Sequence, residues 1–145
     1  MRAIIQRVNT SQVIVEGKTI AEIGKGMLIL LGIGPEDDEG KCATMAKKLA
    51  QLRIFEDEQG KMNLSLLDTG GAAIVVSQFT LFADTRKGNR PSFVGAAATE
   101  KASPLVDHFV SEMRKFNISI QCGEFGAHML VNLQNDGPVT IWMEM

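Results

Sequence analysis

The chain has 145 residues, 45% of them hydrophobic and 22% charged, proportions of an ordinary globular domain that exclude a disordered, collagen-like or coiled-coil chain. That length suits one domain, spanning 1–145, with a core that needs neither a disulfide nor a metal to hold it. A net charge of −2 supplies no global positive field to draw the protein onto a phosphate backbone, so any nucleic-acid contact has to be local.

From Ala3 to Val15 an Ile- and Val-rich pattern interleaved with polar residues predicts a long strand, and Glu16-Gly17-Lys18 supplies a turn. Thr19 to Ile23 is a second strand, Gly24-Lys25-Gly26 a second turn, and the unbroken apolar run Met27 to Ile33 suits a strand covered on both faces. Beyond the polar turn Gly34 to Asp38, the positions Cys42, Met45, Ala46, Leu49 and Leu52 recur at the three- and four-residue spacing of an amphipathic helix. Arg53 to Phe55 continues as a strand to the polar segment Asp57 to Lys61, and Ala72 to Val76 is the next strand, delivering the chain to Ser77. The stretch Ala83 to Ala98, with Gly88, Pro91 and Gly95, is a long loop of the kind that carries function. A second helix, capped by Thr99, runs from Thr99 or Pro104 to Phe116 with Leu105, Phe109, Val110 and Met113 on one face. Ile118 to Cys122, Met129 to Leu133 and Val139 to Met143 close the chain as three short strands, with Asn135 to Pro138 as a turn between the last two. The expected fold is α/β of the α+β type: a mixed, largely antiparallel sheet, barrel-like or layered, with two amphipathic helices packed on one side.

Cys42 and Cys122 are too few for a secreted disulfide framework and lack the paired spacing of a zinc site, which fits buried thiols in a reducing cytosol. Met27 to Leu31 is far short of the ~20 apolar residues that span a bilayer, and no signal-peptide pattern opens the chain, so a cytoplasmic protein is expected. His108 and His128 lie on separate elements, His128 on a strand, with no ligand spacing to another His or Cys, so no metal or cofactor is called for. No Gly-x-Ser-x-Gly elbow is present, and Gly24-Lys25-Gly26 and Gly32-Ile33-Gly34 lack the spacing of phosphate loops.

Two segments stand out. Ser77-Gln78-Phe79-Thr80-Leu81 places hydrogen-bonding side chains directly after an apolar strand, where a chain leaving the core can aim them into a cleft. Asn135-Asp136-Gly137-Pro138-Val139-Thr140 has turn composition, and by itself reads as a hairpin loop. Together, in this order, they resemble the two signature motifs of the D-aminoacyl-tRNA deacylases, also called D-tyrosyl-tRNA deacylases. The resemblance spans the chain, taking in Met1 to Val8, Gly88-Asn89-Arg90-Pro91-Ser92-Phe93 and Phe125-Gly126-Ala127-His128-Met129, with His128 a mild departure at the pocket rim.

The resemblance implies hydrolysis of the ester between a D-amino acid and the terminal adenosine of tRNA by a homodimer, with no cofactor, metal or membrane expected; a filter that works by excluding an L side chain cannot reject glycine, so glycyl-tRNA is expected to be cleaved as well. It implies that the Gly137-Pro138 bond is cis and enters the partner subunit's site, presenting carbonyl oxygens to the substrate α-amine and leaving no room for an L side chain. Asn135 and Thr140 belong to the same motif, and Arg7 is implied as the brace of that loop. Thr80 has no base beside it in sequence to activate its hydroxyl. The favoured mechanism is therefore attack by water, helped by the ribose 2′-hydroxyl, with the backbone N–H groups of Phe79 and Thr80 holding the carbonyl oxygen and Ser77 and Gln78 positioning sugar or ester. Phe125 and Met129 are implied as the floor of the adenosine pocket; by periodicity alone they read as core. Arg86, Lys87 and Arg90 form a small basic group that can hold a few phosphates of the acceptor end, with Arg53 or Lys61 as additions. The rival of another class is a noncatalytic nucleic-acid-binding module of the same fold. A related deacylase branch, with Pro and Ala in place of Ser77 and Phe79, is disfavoured by those two residues.

Overall fold

The computed structural model describes all 145 residues. Its order is β1 (Arg2–Val15), β2 (Lys18–Ile23), β3 (Gly26–Gly32), α1 (Glu39–Ala50), β4 (Phe55–Glu56), β5 (Met62–Leu64), α2 (Leu66–Thr69), β6 (Ala72–Ser77), a 3-10 turn (Phe79–Phe82), α3 (Thr99–Arg114), β7 (Ser119–Cys122) and β8 (Leu130–Glu144). The mixed α/β architecture is as expected. Strand β1 lies against β8 along almost its whole length, while its other edge takes β3 in its first half and β2 in its second, all antiparallel. The remaining pairs, β3 with β6 and β6 with β7, are parallel, and α1 and α3 lie in the two crossovers, as parallel neighbours require. The Gln121 side chain on β7 accepts from the Glu22 N–H at 2.8 Å and donates to the Glu22 carbonyl at 2.6 Å. Its amide thereby ties β7 to β2 and nearly closes the sheet into a barrel.

Alternating residues of the central strands feed two cores. Ile29, Leu31 and Val75 join the cluster under α1 and α3, where Cys42, Met45, Leu49, Phe109 and Met113 are buried. Leu28, Ile74 and Val76 point the other way, into a smaller cluster with Val8, Val13 and Ile23. This double burial is why Met27 to Leu31 reads as one apolar run. The ends of the chain are joined: the Met1 ammonium lies 2.6 Å from Asp37 and donates to the Met145 carbonyl at 2.7 Å.

The structure corrects several expectations. The last two strands are one, and Asn135 to Pro138 is no hairpin turn but a bulge in β8, whose two ends both pair with β1. Gln6 faces Thr140 and Val8 faces Asn135, so two steps along β1 answer five along β8 and the excess is extruded. Helix α3 is capped by Ala98 with no side-chain bond, so Thr99 is its first helical residue and not its cap. Short β5 and α2 had no counterpart in the periodicity, although Ser65 and Asp68 form a reciprocal capping box that does mark a helix start. His128 lies outside any strand, and Cys122 is only half-buried beside the fully buried Cys42. No helix is long and apolar enough to cross a membrane.

Candidate active site

Strand β6 runs parallel to its neighbours and ends at Ser77, so its exit lies at the C-terminal edge of the parallel strands, where open α/β sheets place their ligands. The Gln78 N–H donates to the Leu31 carbonyl at 2.8 Å, and the chain then winds into the 3-10 turn. Gly32 and Gly34 make this possible. A Cβ at Gly32 would come within 2.9 Å of the Gln78 carbonyl, and one at Gly34 within 3.0 Å of the Phe82 ring. Those glycines, whose spacing in sequence fits no phosphate loop, are the clearance under the turn.

Ser77, Gln78 and Phe79 line a cleft of 410 Å³ with Phe93, Phe125, Gly126 and the small side chains Ala96 to Ala98 that precede α3. Phe79 is 57% exposed and packs edge to face on Phe93, with ring centroids 5.1 Å apart. The N–H groups of Phe79 and Thr80 open the turn and donate to no group in the chain. The Thr80 hydroxyl accepts a hydrogen bond from the Gln78 side-chain amide, a donor that leaves the hydroxyl proton where it is. Phe93 joins the cleft although its chemistry alone does not mark it; its signal in the sequence is its place in the Gly88 to Phe93 segment.

The second motif sits elsewhere in the same chain. The Gly137-Pro138 peptide is cis and Gly137 has φ of +122°. Arg7, 4% exposed, holds the bulge from beneath: Nε lies 3.0 Å from the Asp136 carboxylate and donates to the Asp136 carbonyl at 3.3 Å, while Nη1 donates to the Ile54 carbonyl at 2.7 Å. Asn135 spans the base of the bulge, donating to the Thr140 hydroxyl at 2.8 Å and accepting from the Val139 N–H at 2.9 Å. Arg7 and Asp136 face a separate pocket of 270 Å³ with Asn9, Lys25 and Glu56. One chain therefore brings together Ser77, Gln78 and Phe79 with Phe125, leaves Thr80 exposed just outside the cleft lining, and separately groups Arg7 with Asn135 to Thr140, without joining the two groups.

Met129 stays outside the cleft; it packs against the smaller core cluster, where its sulfur covers Gly123. In the long loop, backbone bonds between Asp84 and Ser92 at 2.7 and 2.9 Å pinch off a segment carrying Arg86, Lys87 and Arg90. The Arg86 guanidinium grips Asp84 through two bonds of 2.9 and 2.7 Å, and those bonds hold the Asp84 carboxyl well below the usual carboxylate range. Lys87 and Arg90 are exposed and carry no ion pair.

The profile of the D-Tyr-tRNA(Tyr) deacylase family matches residues 4–144. The D-aminoacyl-tRNA deacylase of Chloroflexus aurantiacus is 58% identical over 97% of this chain and 88% of its own length, and that of Thermomicrobium roseum 54% identical over 99% and 94%. Among solved structures, one described as a c-Myc DNA unwinding element binding protein superposes with a TM-score of 0.93 at 43% identity, covering 100% of this chain and 99% of its own. A probable eukaryotic D-amino acid tRNA deacylase shares the fold, with a TM-score of 0.86 at 16% identity over 99% of this chain and 98% of its own. A match over nearly the whole length, at these identities and with both motifs in place, makes the chain a member of the D-Tyr-tRNA(Tyr) deacylase family.

Proposed function

We propose that the protein hydrolyses the ester joining a D-amino acid, or glycine, to the terminal adenosine of tRNA, and that two copies complete each other's sites. Family membership supports the reaction class. The observation that carries the mechanism is the pair of unpartnered N–H groups at the head of the turn, on Phe79, which lines the cleft, and on Thr80, the next residue. They supply the two donors that a tetrahedral oxyanion needs, fixed in place before substrate arrives. Water attacks the ester carbonyl, the oxyanion forms on those donors, and collapse expels the ribose 3′-oxygen, the proton that the water loses reaching that oxygen through the adjacent 2′-hydroxyl. Thr80 does not act as nucleophile, because its hydroxyl partner is an amide donor and not a base. Ser77 and Gln78 position the sugar or ester, and Phe125 floors the adenosine pocket.

Chirality is read by the bulge. In one chain Gly137 and Pro138 do not line the cleft of Ser77 to Phe79, which supports their entering the partner's cleft. There their carbonyl oxygens receive the α-amine and their bulk takes the space of an L side chain. Lys87 and Arg90, with Arg86, meet phosphates of the single-stranded acceptor end, in the cytoplasm where charged tRNA is found.

The test is release of free amino acid from D-alanyl-, L-alanyl- and glycyl-tRNA measured side by side. The first and third are cleaved and the second spared, because glycine has no side chain for steric exclusion to reject. Sparing of glycyl-tRNA at enzyme levels that clear D-alanyl-tRNA would replace exclusion by positive recognition of the D side chain. The second reading, a nucleic-acid-binding module without turnover, is favoured by the description of the 43% identical structure as a DNA-element-binding protein. Binding of tRNA with no release of D-alanine would establish it. Sedimentation equilibrium is expected to give a dimer, and a fully active monomer would end the shared-site account.

A further inference from the structure

Arg2, the first residue of β1, lies outside the cleft, yet its side chain is committed to the turn beside it. Nη1 donates to the Leu81 carbonyl at 3.0 Å, and the guanidinium carbon stacks 4.4 Å from the centre of the Phe82 ring. Nε pairs with Glu144 at 2.7 Å, and the Trp142 ring centre is 5.7 Å away. Leu81 and Phe82 are the second half of the four-residue turn whose first half is Phe79 and Thr80. Phe82 also rests against Gly32 and Gly34, so its ring is held by a cation as well as by bare backbone. The turn itself is tight: the Leu81 N–H reaches the Gln78 carbonyl at 3.2 Å and the Ala83 N–H the Thr80 carbonyl at 3.0 Å. The Leu81 carbonyl that Arg2 holds and the Thr80 N–H thus belong to one four-residue turn closed by these bonds, so a change in its pitch moves both.

We propose that Arg2 is a positioning residue for the deacylation, setting the pitch of the 3-10 turn and with it the aim of the Phe79 and Thr80 N–H groups. The inference rests on the reading of those N–H groups as oxyanion donors. Arginine suits the task because its planar fork serves a carbonyl and a carboxylate at once while its face stacks on a ring. Lysine, a single point charge, cannot do all three. Nothing in the sequence announces this role, since it depends on a contact across 79 positions of chain.

The experiment compares wild type, Arg2→Ala, Arg2→Lys and Glu144→Gln in steady-state release of D-alanine from D-alanyl-tRNA. Circular dichroism establishes folding of each variant. Arg2→Ala and Arg2→Lys lower kcat by about tenfold, less than the roughly 100-fold that complete loss of an oxyanion donor costs, while KM changes less than about twofold. Glu144→Gln keeps the Leu81 bond and the Phe82 stack, and stays within about twofold of wild type on the same scale. Millimolar guanidinium ion restores part of the kcat of Arg2→Ala, and the emission of Trp142, the single tryptophan, shifts over the same concentration range. A folded Arg2→Ala with wild-type kcat, a loss confined to KM, or a Glu144→Gln loss equal to that of Arg2→Ala would each overturn the proposal. Should Arg2→Ala fail to fold, Arg2→Lys decides, and full kcat in that variant overturns it. Wild-type inactivity falls instead on the deacylase reading.

Discussion

Arg7 and Asp136 meet twice, side chain to side chain at 3.0 Å and side chain to carbonyl at 3.3 Å, across the foot of the bulge that carries Gly137 and Pro138. The same guanidinium reaches the Ile54 carbonyl and lies 3.4 Å from Glu56, so one buried fork ties the bulge to the segment entering β4. Arg7→Lys cannot serve all of these acceptors. It is expected to fold yet to deacylate D-alanyl-tRNA at least about tenfold more slowly, whereas Arg7→Ala also loses about 2 kcal/mol of stability through orphaned buried acceptors. Urea titration alongside the rate assay separates the two effects, and an unchanged rate in Arg7→Lys would detach the brace from the chemistry.

Gly137→Ala meets two obstacles at once. Its φ of +122° is a conformation that residues with a side chain rarely adopt, and the new Cβ would lie 2.8 Å from the Val139 side chain and 3.2 Å from Arg7 Nη2. The bulge has to shift, at a cost of about 1–3 kcal/mol. Turnover of D-alanyl-tRNA is expected to fall with no gain on L-alanyl-tRNA, because a displaced loop obstructs the pocket sooner than it opens it. Gain of L-alanyl-tRNA hydrolysis at unchanged D rate would contradict this.

Thr80→Ala removes a hydroxyl that accepts from Gln78 and leaves the Thr80 N–H in place. The loss in kcat is expected to stay below about tenfold, or 1.4 kcal/mol of barrier. Mass spectrometry of the quenched reaction is expected to find no acyl group on Thr80 of the wild type. An acyl-Thr80 adduct would transfer the nucleophile's role to the hydroxyl.

Lys87 and Arg90 differ from Arg86 in having no carboxylate partner. Replacing both by Ala should weaken tRNA binding and flatten the slope of log affinity against log salt by about 1.4, since each phosphate contact on a single strand contributes about 0.7. Arg86→Ala should change the slope less, because its fork already faces Asp84. Equal slope changes for Arg86 and for the pair would show that the Asp84 bond opens on binding.

Asp37 joins the two chain ends to the start of α1. Burial raises its pKa, but hydrogen bonds from the Met1 ammonium, the Gly34 N–H and Lys41 outweigh burial and hold the carboxyl below the usual carboxylate range. A carboxyl held more acidic in the folded than in the unfolded chain contributes stability that is complete above the unfolded pKa of about 3.9 and fades as pH falls through the folded value. Asp37→Asn, which strands the buried ammonium, should cost about 3 kcal/mol at neutral pH. Denaturation midpoints measured from pH 7 to pH 3 should show the gap between wild type and variant constant at first and shrinking below pH 4.

Local rules in the sequence carry the helices and most strands. Cys42, Met45, Ala46 and Leu49 fall on the buried face of α1, and Leu105, Phe109, Val110 and Met113 on that of α3, because a helix needs only its own periodicity to declare its inner side. The end of the chain is ambiguous in sequence for the converse reason. A Gly-Pro between two apolar stretches has the same composition whether the chain reverses or bulges outward, and only the partner strand, more than 120 residues away, decides. The cleft was legible as a motif, but its depth was not: Gly32, Gly34 and Phe93 contribute shape, which single-residue chemistry does not advertise.

Both flanks of the bulge in β8 are pinned to β1, Ile5 to Ile141 on one side and Ser11 to Leu133 on the other. A strand mounted at two points has no freedom to slide. One residue inserted or deleted between Asn135 and Thr140 would have to be absorbed within the bulge, since a slip of β8 by one position would turn Ile141 and Met143 away from the core they pack against and bring Trp142 and Glu144 inward. Heritable change in this loop is thus open to replacement of side chains and closed to change of length.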